Sequence, residues 1–347
     1  MSHEYRNRMD IRNNVKLNEM LNDIPDFIGY FYDHMVAQGH SSNTILGYAY
    51  EINSFLRYIQ ILNKKNSIKE IEIADLESLS QHAIEVFISR SEDGKILSNN
   101  TKRRKLSIIK SLYNYFWGSE LIRKNPTALL EGAKLNHKDV IKLSDSQVRA
   151  LLLCIKNKEN MSKRAQKYNE NIAPRDLAII MTLLGTGIRI SELVGLNISD
   201  IDKTDINKRY LKIIRKGGDE DTVRIIDTVY EAINEYLLLS RPYLASSNKE
   251  NALFVSTQGK RMSVSAIQKM LEKYCRNAGL PDYISPHKMR ATFATKVYSE
   301  TKDIYAIKDA LHHKTIDTSK HYISDKEERI DKAAEAAGKL FSYPLVI

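Results

Sequence analysis

The chain has 347 residues, 42% hydrophobic and 28% charged, an ordinary globular composition that excludes a largely disordered protein and, at this length, favours two domains of unequal size. A formal net charge of +10 points to a polyanionic partner, nucleic acid before an acidic membrane surface. Cys154 and Cys275 cannot build a disulfide framework or a zinc site, the N-terminus is charged rather than signal-like, and no apolar run approaches a membrane span, so a cytoplasmic protein is expected.

Residues 1–22 are polar, carry Arg6, Arg8, Arg12 and Lys16, and show no strong period, which reads as a loosely held, flexible arm. A helix is expected over Asp26–Ala37, and Ser41-Ser42-Asn43-Thr44 supplies N-cap chemistry for the next. In that second helix Ile45, Tyr48, Ile52, Phe55 and Ile59 share one face, which should be core. A third helix is expected over Ser78–Arg90, followed by a turn at Ser91-Glu92-Asp93-Gly94. The next, Asn100–Trp117, sets Leu106, Ile109, Leu112, Tyr113 and Phe116 on its apolar side and opens with Lys102, Arg103, Arg104 and Lys105, followed by Lys110. Such a run is commonly a solvated face; the sharper reading lays it against DNA phosphates.

Asn125-Pro126 closes this helical set, and the polar stretch that follows places a linker at 135–142. The S-x-x-Q capping box Ser144–Gln147 opens the second domain with a helix through Val148, Leu151, Leu152 and Ile155. A strongly apolar helix over Asp176–Leu184 breaks at Gly185-Thr186-Gly187, and another begins near Arg189. The β-branched runs Tyr210–Ile214 and Thr222–Ile226 flank Lys216-Gly217-Gly218 as a hairpin does. Helices are expected over Val229–Leu239, Val264–Ala278, Pro286–Tyr298, Ile304–Leu311, Ile316–Tyr322 and Asp325–Lys339.

Several polar residues fall at element ends: Arg189 after the Gly-Thr-Gly break, Lys216 in the hairpin turn, His287 and Arg290 three apart on one helical turn, and His313 nine positions before Tyr322. Two arginines, a lysine and two histidines around a tyrosine suit a charged oxyanion, and with DNA as partner that oxyanion is a phosphodiester. A phenol, with a pKa near 10, needs such neighbours to attack phosphorus. Arginine offers a planar, permanently charged fork to phosphate oxygens, and lysine can protonate the leaving sugar oxygen. There is no carboxylate cluster for a metal and no P-loop, so neither metal nor cofactor is expected. Adjacent His312 and His313 point apart and make no metal pair.

Thr186-Gly187-Ile188-Arg189-Ile190-Ser191-Glu192-Leu193, His287-Lys288-Met289-Arg290, Leu311-His312-His313 and Tyr322 resemble, in order and spacing, the signature boxes of the tyrosine recombinases, the phage integrase family, in its compact two-domain Xer/Cre-like type. The resemblance covers nearly the whole chain from residue 23. It implies a mainly α fold with a small β-sheet: a helical, SAM-like core-binding domain over 23–134 and a mixed α/β catalytic domain over 143–324, together forming a C-shaped DNA clamp. It further implies that residues 325–347 dock on a neighbouring subunit, within a homotetramer on two DNA sites whose double-stranded target has inverted half-sites. Tyr322 would form a 3′-phosphotyrosyl bond on the way to a Holliday junction. Arg189 and Arg290 would clamp non-bridging oxygens, Lys216 would protonate the leaving oxygen, and His287 and His313 would hydrogen-bond the phosphate, with His287 the better proton acceptor. Glu192 would brace Arg189.

Two positions depart from the pattern. His312 stands where the family usually has glycine, and Ala291 where it usually has histidine; the nine-residue spacing to Tyr322 selects His313 over His312. The competing readings are a type IB topoisomerase-like or telomere-resolvase enzyme and a catalytically silent architectural DNA-binding protein.

Overall fold

The structure, a computed structural model, describes residues 3–134, 141–157, 163–205, 208–215, 218–245, 250–281, 283–312 and 315, with side chains from Glu4 onward except at 163–168. Lys216, His313, Tyr322 and the two last expected helices lie outside the described residues. The chain divides into two compact units, Glu4–His137 and the residues from Lys138 onward.

The first unit is helical: α1 (His3–Leu21), α2 (Asp26–Ala37), α3 (Ser42–Leu62), α4 (Ile73–Glu77), α5 (Gln81–Ser89) and α6 (Asn99–Gly118), with a 3-10 turn at Ile68–Glu70. Serine hydroxyls set three of the starts. Ser41, Ser80 and Ser98 accept the backbone N–H groups of Thr44, Ala83 and Thr101, satisfying donors that a helix cannot pair internally. On α3, Ile45, Ile52, Phe55 and Ile59 are buried as the spacing requires, with Tyr48 half-buried at their edge. They meet Leu106, Ile109, Leu112, Tyr113 and Phe116 of α6 in one core, each large side chain contributing about 1.5–3 kcal/mol of transfer free energy. The Tyr113 hydroxyl donates to the Leu76 carbonyl at 2.9 Å, so its burial leaves no orphaned polar group.

Two expectations change here. Residues His3–Leu21 are a helix and not a loose arm. Leu17 is its one buried apolar residue, with Met20 and Leu21 packed half-buried against the same core at its C-terminal end, and buried Asn13 donates to Ser42 Oγ at 3.0 Å and Asn43 Oδ1 at 2.8 Å at the start of α3. Apolar contact confined to one end, with polar docking elsewhere, leaves little hydrophobic period to read. The helix expected over Ser78–Arg90 is α5 and starts later, at Gln81, because Ser78 still ends α4, a helix the sequence pattern did not show, and Ser80 caps α5.

In the second unit α7 (Asp145–Lys156) opens on the expected capping box, Ser144 Oγ accepting the Gln147 N–H while the Gln147 side chain accepts the Ser144 N–H at 2.9 Å. The apolar helix is longer than expected, α8 (Lys163–Thr186), and carries Pro174 inside it. Ala178, Ile179, Ile180 and Leu183 of α8 are at most 1% exposed, which makes it the central rod of the unit. A short helix, α9 (Ile190–Gly195), leads to an antiparallel sheet in the order β1 (Ile201–Asp202), β2 (Arg209–Ile214) and β3 (Glu220–Ile225). Leu211 pairs with Ile201 on one side and Val223 on the other, all three buried, while Lys212 and Thr222 between them face solvent. The hairpin β2–β3 matches the expectation; β1, two residues long, has too little pattern to be seen.

The chain continues through α10 (Asp227–Glu235), a π-helical turn over Tyr236–Ser240, α11 (Arg241–Leu244), α12 (Val264–Asn277), α13 (Pro286–Thr301) and α14 (Ile304–Leu311). Arg175, Asp176 and Tyr274 form a buried polar knot: Arg175 pairs with Asp176 at 2.7 Å and the Tyr274 hydroxyl donates to Asp176 Oδ2 at 2.9 Å. Tyr274 is thus a packing residue. No described helix is long and apolar enough to cross a membrane.

Candidate active site

The break between α8 and α9 places the first arginine. Thr186 Oγ1 donates to the Thr182 carbonyl and accepts the Ile188 N–H at 3.3 Å, ending α8 without orphaned groups. Gly187 has φ +62°, and a Cβ there would lie 2.4 Å from Phe293 Cδ1 and 2.7 Å from Leu311 Cδ2. Only glycine fits both that conformation and that close approach to α13 and α14. Arg189 then caps α9: its N–H donates to Glu192 Oε2 at 2.7 Å and its Nη1 to Glu192 Oε1 at 2.9 Å. The Glu192 side chain is 2% exposed and that of Arg189 37%, so a buried carboxylate holds a guanidinium whose outer face meets solvent.

The second arginine is placed differently from the open fork implied by the sequence. Arg290 is 3% exposed, and it donates from Nη1 to the Gly187 carbonyl and from Nη2 to the Leu311 carbonyl at 2.9 Å. It therefore ties the loop before Arg189 to the end of α14. His287 sits one turn earlier, at the N-terminal end of α13 behind Pro286. Although exposed as a residue, it has its pKa pulled below the ordinary histidine value by the protein packed around its ring and then by the charges of Lys288, Arg290 and Arg189. Its imidazole is held neutral beside two guanidinium groups. Ala291 is buried with Ala294, Ile307 and Leu311 between α13 and α14; the small side chain is part of that packing.

Sequence reasoning misses Arg215 and Asp221 in this region and sets His312 aside in favour of His313. Arg215, at the end of β2 with its side chain 8% exposed, donates from Nη1 to Glu192 Oε2 at 3.2 Å and from Nε to Asp221 Oδ2 at 2.8 Å. Its Nη2 is buried without a hydrogen-bond partner. Asp221 Oδ2 also meets His312 Nδ1 at 2.7 Å. His312 is the left-handed C-cap of α14, with φ +49° and ψ +51°, a conformation that raises the energy of a residue with a Cβ by roughly 1–2 kcal/mol. Burial first and Arg215 second pull its pKa down, against the pull of Asp221. Spacing along the chain carried no sign of this set, because it joins the β2–β3 hairpin to the end of α14 and, through Glu192, to α9.

On the first unit, the basic run of α6 divides by face. Arg103 and Arg104 are exposed, and Lys102 and Lys110 half-buried. Lys105 is turned inward, 3.2 Å from Glu51 Oε1 and 4.0 Å from the centre of the Phe87 ring, an ion pair without hydrogen-bond alignment backed by a cation–π contact. Its charge is committed within the fold. Beside the run lies a shallow groove of about 470 Å³ lined by Tyr48, Arg103, Ser107, Lys110, Ser111 and Asn114. The four α6 residues Arg103, Ser107, Lys110 and Asn114 recur at helical period, which makes a polar stripe that the count of charges alone does not reveal.

Residues 142–329 match the model of the Phage integrase family, and residues 28–117 that of its N-terminal SAM-like domain. The chain belongs to the phage integrase family. It is a tyrosine recombinase, a site-specific DNA recombinase, 30% identical to the tyrosine recombinase XerC of Caldanaerobacter subterraneus subsp. tengcongensis over 89% of this chain and 85% of that one. In fold the recombinase resembles the XerH site-specific recombinase bound to palindromic difH substrate in a post-cleavage complex, with TM-score 0.66, 22% identity, and 86% of this chain and 81% of that one covered. It also resembles a lambda integrase tetramer bound to a Holliday junction, with TM-score 0.61, 14% identity, and 86% and 76% covered. Among the described residues no group of three or more His, Cys, Asp or Glu side chains is placed to hold a metal ion.

Proposed function

We propose that this recombinase cleaves DNA with Tyr322 and that Arg189, His287 and Arg290 form the described half of its catalytic centre. The observation that carries the reading is the convergence of a partly exposed guanidinium on a buried carboxylate, a second guanidinium tied to the loop before it, and a histidine whose pKa is lowered first by the protein around its ring and then by neighbouring positive charges, those two arginines among them. The Tyr322 oxygen attacks the scissile phosphorus, the P–O5′ bond breaks, and a 3′-phosphotyrosyl bond remains with a free 5′-hydroxyl. His287, neutral at neutral pH, takes the phenol proton; Lys216 gives one to the leaving 5′-oxygen; His313 hydrogen-bonds a non-bridging oxygen. Arg189 meets the charge that builds on the equatorial oxygens, and Arg290 adds its own from within while holding the Gly187 and Leu311 carbonyls. Attack by the 5′-hydroxyl of a partner strand reverses the chemistry and generates the Holliday junction.

The DNA-binding share falls to residues 23–134, where Lys102, Arg103, Arg104 and Lys110, with the polar stripe of α6, face phosphate. Catalysis belongs to 143–324, and the segment 325–347 docks on a neighbouring subunit of a homotetramer that joins two duplexes with inverted half-sites in the cytoplasm. The lambda integrase tetramer supports that assembly by analogy of fold.

The test is a suicide substrate, nicked beside the cleavage point so that the 5′-hydroxyl diffuses away. The target duplex is first selected from a random-sequence pool by binding to the full chain. A covalent protein–DNA adduct is expected, and Y322F should abolish it. An adduct that persists in Y322F, or none with the unaltered chain, overturns the assignment; junctions formed from two such duplexes separate recombination from relaxation alone.

A further inference from the structure

The contacts around Arg189 close into a ring. Arg189 pairs with Glu192, Glu192 with Arg215, Arg215 with Asp221, and Asp221 with His312. One residue back along the chain, the Leu311 carbonyl accepts from Arg290, whose other terminal nitrogen donates to the Gly187 carbonyl, two residues before Arg189. The Arg189–Glu192 pair lies within the start of α9, and each remaining link joins a different pair of elements: α9 to β2, β2 to β3, β3 to the end of α14, α14 to α13, and α13 back to the α8–α9 loop. The ring holds from two directions the turn through which the chain passes from α14 to His313. Arg290 fixes the main chain at Leu311, and among the described residues His312 ties the turn to the sheet.

His312 occupies that point against its backbone preference. A residue without a Cβ would take φ +49° freely, whereas histidine holds it under strain. What the side chain supplies in exchange, among the described residues, is the 2.7 Å approach of Nδ1 to Asp221 Oδ2. The carboxylate marks Nδ1 as the nitrogen that carries hydrogen, so the ring is a directed donor rather than a filler. The acceptor is not idle in its absence, since Asp221 Oδ2 also takes the Arg215 Nε–H and so sits at the crossing of the ring.

We propose that His312 is a positioning residue for strand cleavage: its Nδ1–H, anchored on Asp221, sets the turn that delivers the following segment and couples that turn through Arg215 and Glu192 to the orientation of Arg189. The proposal rests on the assignment of Arg189 and Tyr322 above. Without the His312 contact the turn is held only at its backbone, and Asp221 turns wholly to Arg215, which alters the balance of charge on Glu192. Cleavage of bound DNA slows while binding, which depends on other surfaces, does not.

The chemistry supplies a discriminating pair of variants. In H312G the turn loses its strain and its donor together. In H312N the amide nitrogen stands where Nδ1 stood, and asparagine is among the residues that enter the left-handed region readily. With the full chain and the suicide duplex under single-turnover conditions, H312G should lower the adduct rate about 10- to 100-fold. Its dissociation constant for the duplex should be unchanged and its melting temperature no lower than that of the unaltered chain. H312N should return most of the rate, and D221A combined with H312G should be no slower than D221A alone. An H312G rate equal to the unaltered rate, an H312N rate as low as that of H312G, or additive losses in the double variant overturns the proposal. If H312G melts early, the H312N and double-variant arms still decide. Failure of the cleavage assignment has a different signature, an adduct absent from the unaltered chain or present in Y322F.

Discussion

Arg189 owes its position to Glu192, and the energetics of that pair give the first expected outcome. The carboxylate is 2% exposed and faces two guanidinium groups, Arg189 at 2.9 Å and Arg215 at 3.2 Å. Replacing it with an uncharged isostere, E192Q, removes the counter-charge of Arg189 and leaves Arg215, whose side chain is only 8% exposed, with Asp221 alone. Loss of about 3 kcal/mol in chemical denaturation is expected, with a further loss of cleavage in the fraction that stays folded. R189A should do the reverse, abolishing adduct formation while sparing much of the DNA affinity; equal loss of both would make it a binding arginine. His287 yields a prediction in pH. Its neutral form accepts the phenol proton, and its pKa in the free protein lies below the ordinary histidine value near 6.5. The second-order rate of adduct formation at low DNA concentration, which reports the free protein, should therefore hold level as pH falls from 8 to about 6.5 and drop only below that. An acid limb centred above that value would remove His287 from the role, and H287A should abolish the limb. Arg189, His287 and Arg290 were legible in the sequence because each sits in a short local signature. Arg215 and Asp221 were not, and His312 was visible only as a departure from the glycine usual there, because a hydrogen-bond ring through several elements leaves no spacing to read, and the inward turn of Arg290 depends on where the Gly187 and Leu311 carbonyls end up.

Among the elements, the α8–α9 break and α6 each carry a test. At Gly187 a Cβ would need the left-handed region and would overlap Phe293 and Leu311, so G187A should destabilise the second unit by about 2–5 kcal/mol and slow cleavage by displacing α13 and α14 from Arg189. A variant with unaltered melting temperature would mean the loop can shift as a whole. On α6 the two faces should separate by salt dependence. R103A is expected to lower the slope of log affinity against log salt by about one, as loss of one phosphate contact requires. K105A should leave the slope alone and lower stability instead, because its ammonium is spent on Glu51 and Phe87. The same contrast explains what the chain revealed of its elements. Amphipathic helices with serine caps, such as α3 and α6, announced themselves by period and by cap. The polar-docked α1, the interruption at Ser78–Ser80 and the two-residue β1 did not, since their stability comes from partners distant in sequence.

At the scale of the whole molecule, the first unit has its own core and a polar stripe, the second its own rod and the proposed catalytic residues, and the net charge of +10 favours any duplex over none. The last 23 residues, 325–347, lie outside the described residues, and in their sequence Ile330, Ala333, Ala334, Ala337 and Leu340 recur near helical register. An apolar stripe of that kind needs a surface to cover it, and the reading proposed above places that surface on another copy of the chain. If it does so, assembly and cleavage come apart in a chain ended after Ser324. That variant keeps α6 and the ring around Arg189, so it should bind a single half-site with the affinity of the full chain. It should remain monomeric on two-site DNA in light scattering where the full chain forms a tetramer, and Holliday junctions should be absent. Junctions and tetramers formed by the shortened chain at the concentrations that suffice for the full one would remove the tail from assembly and leave the surfaces of the two units to account for it.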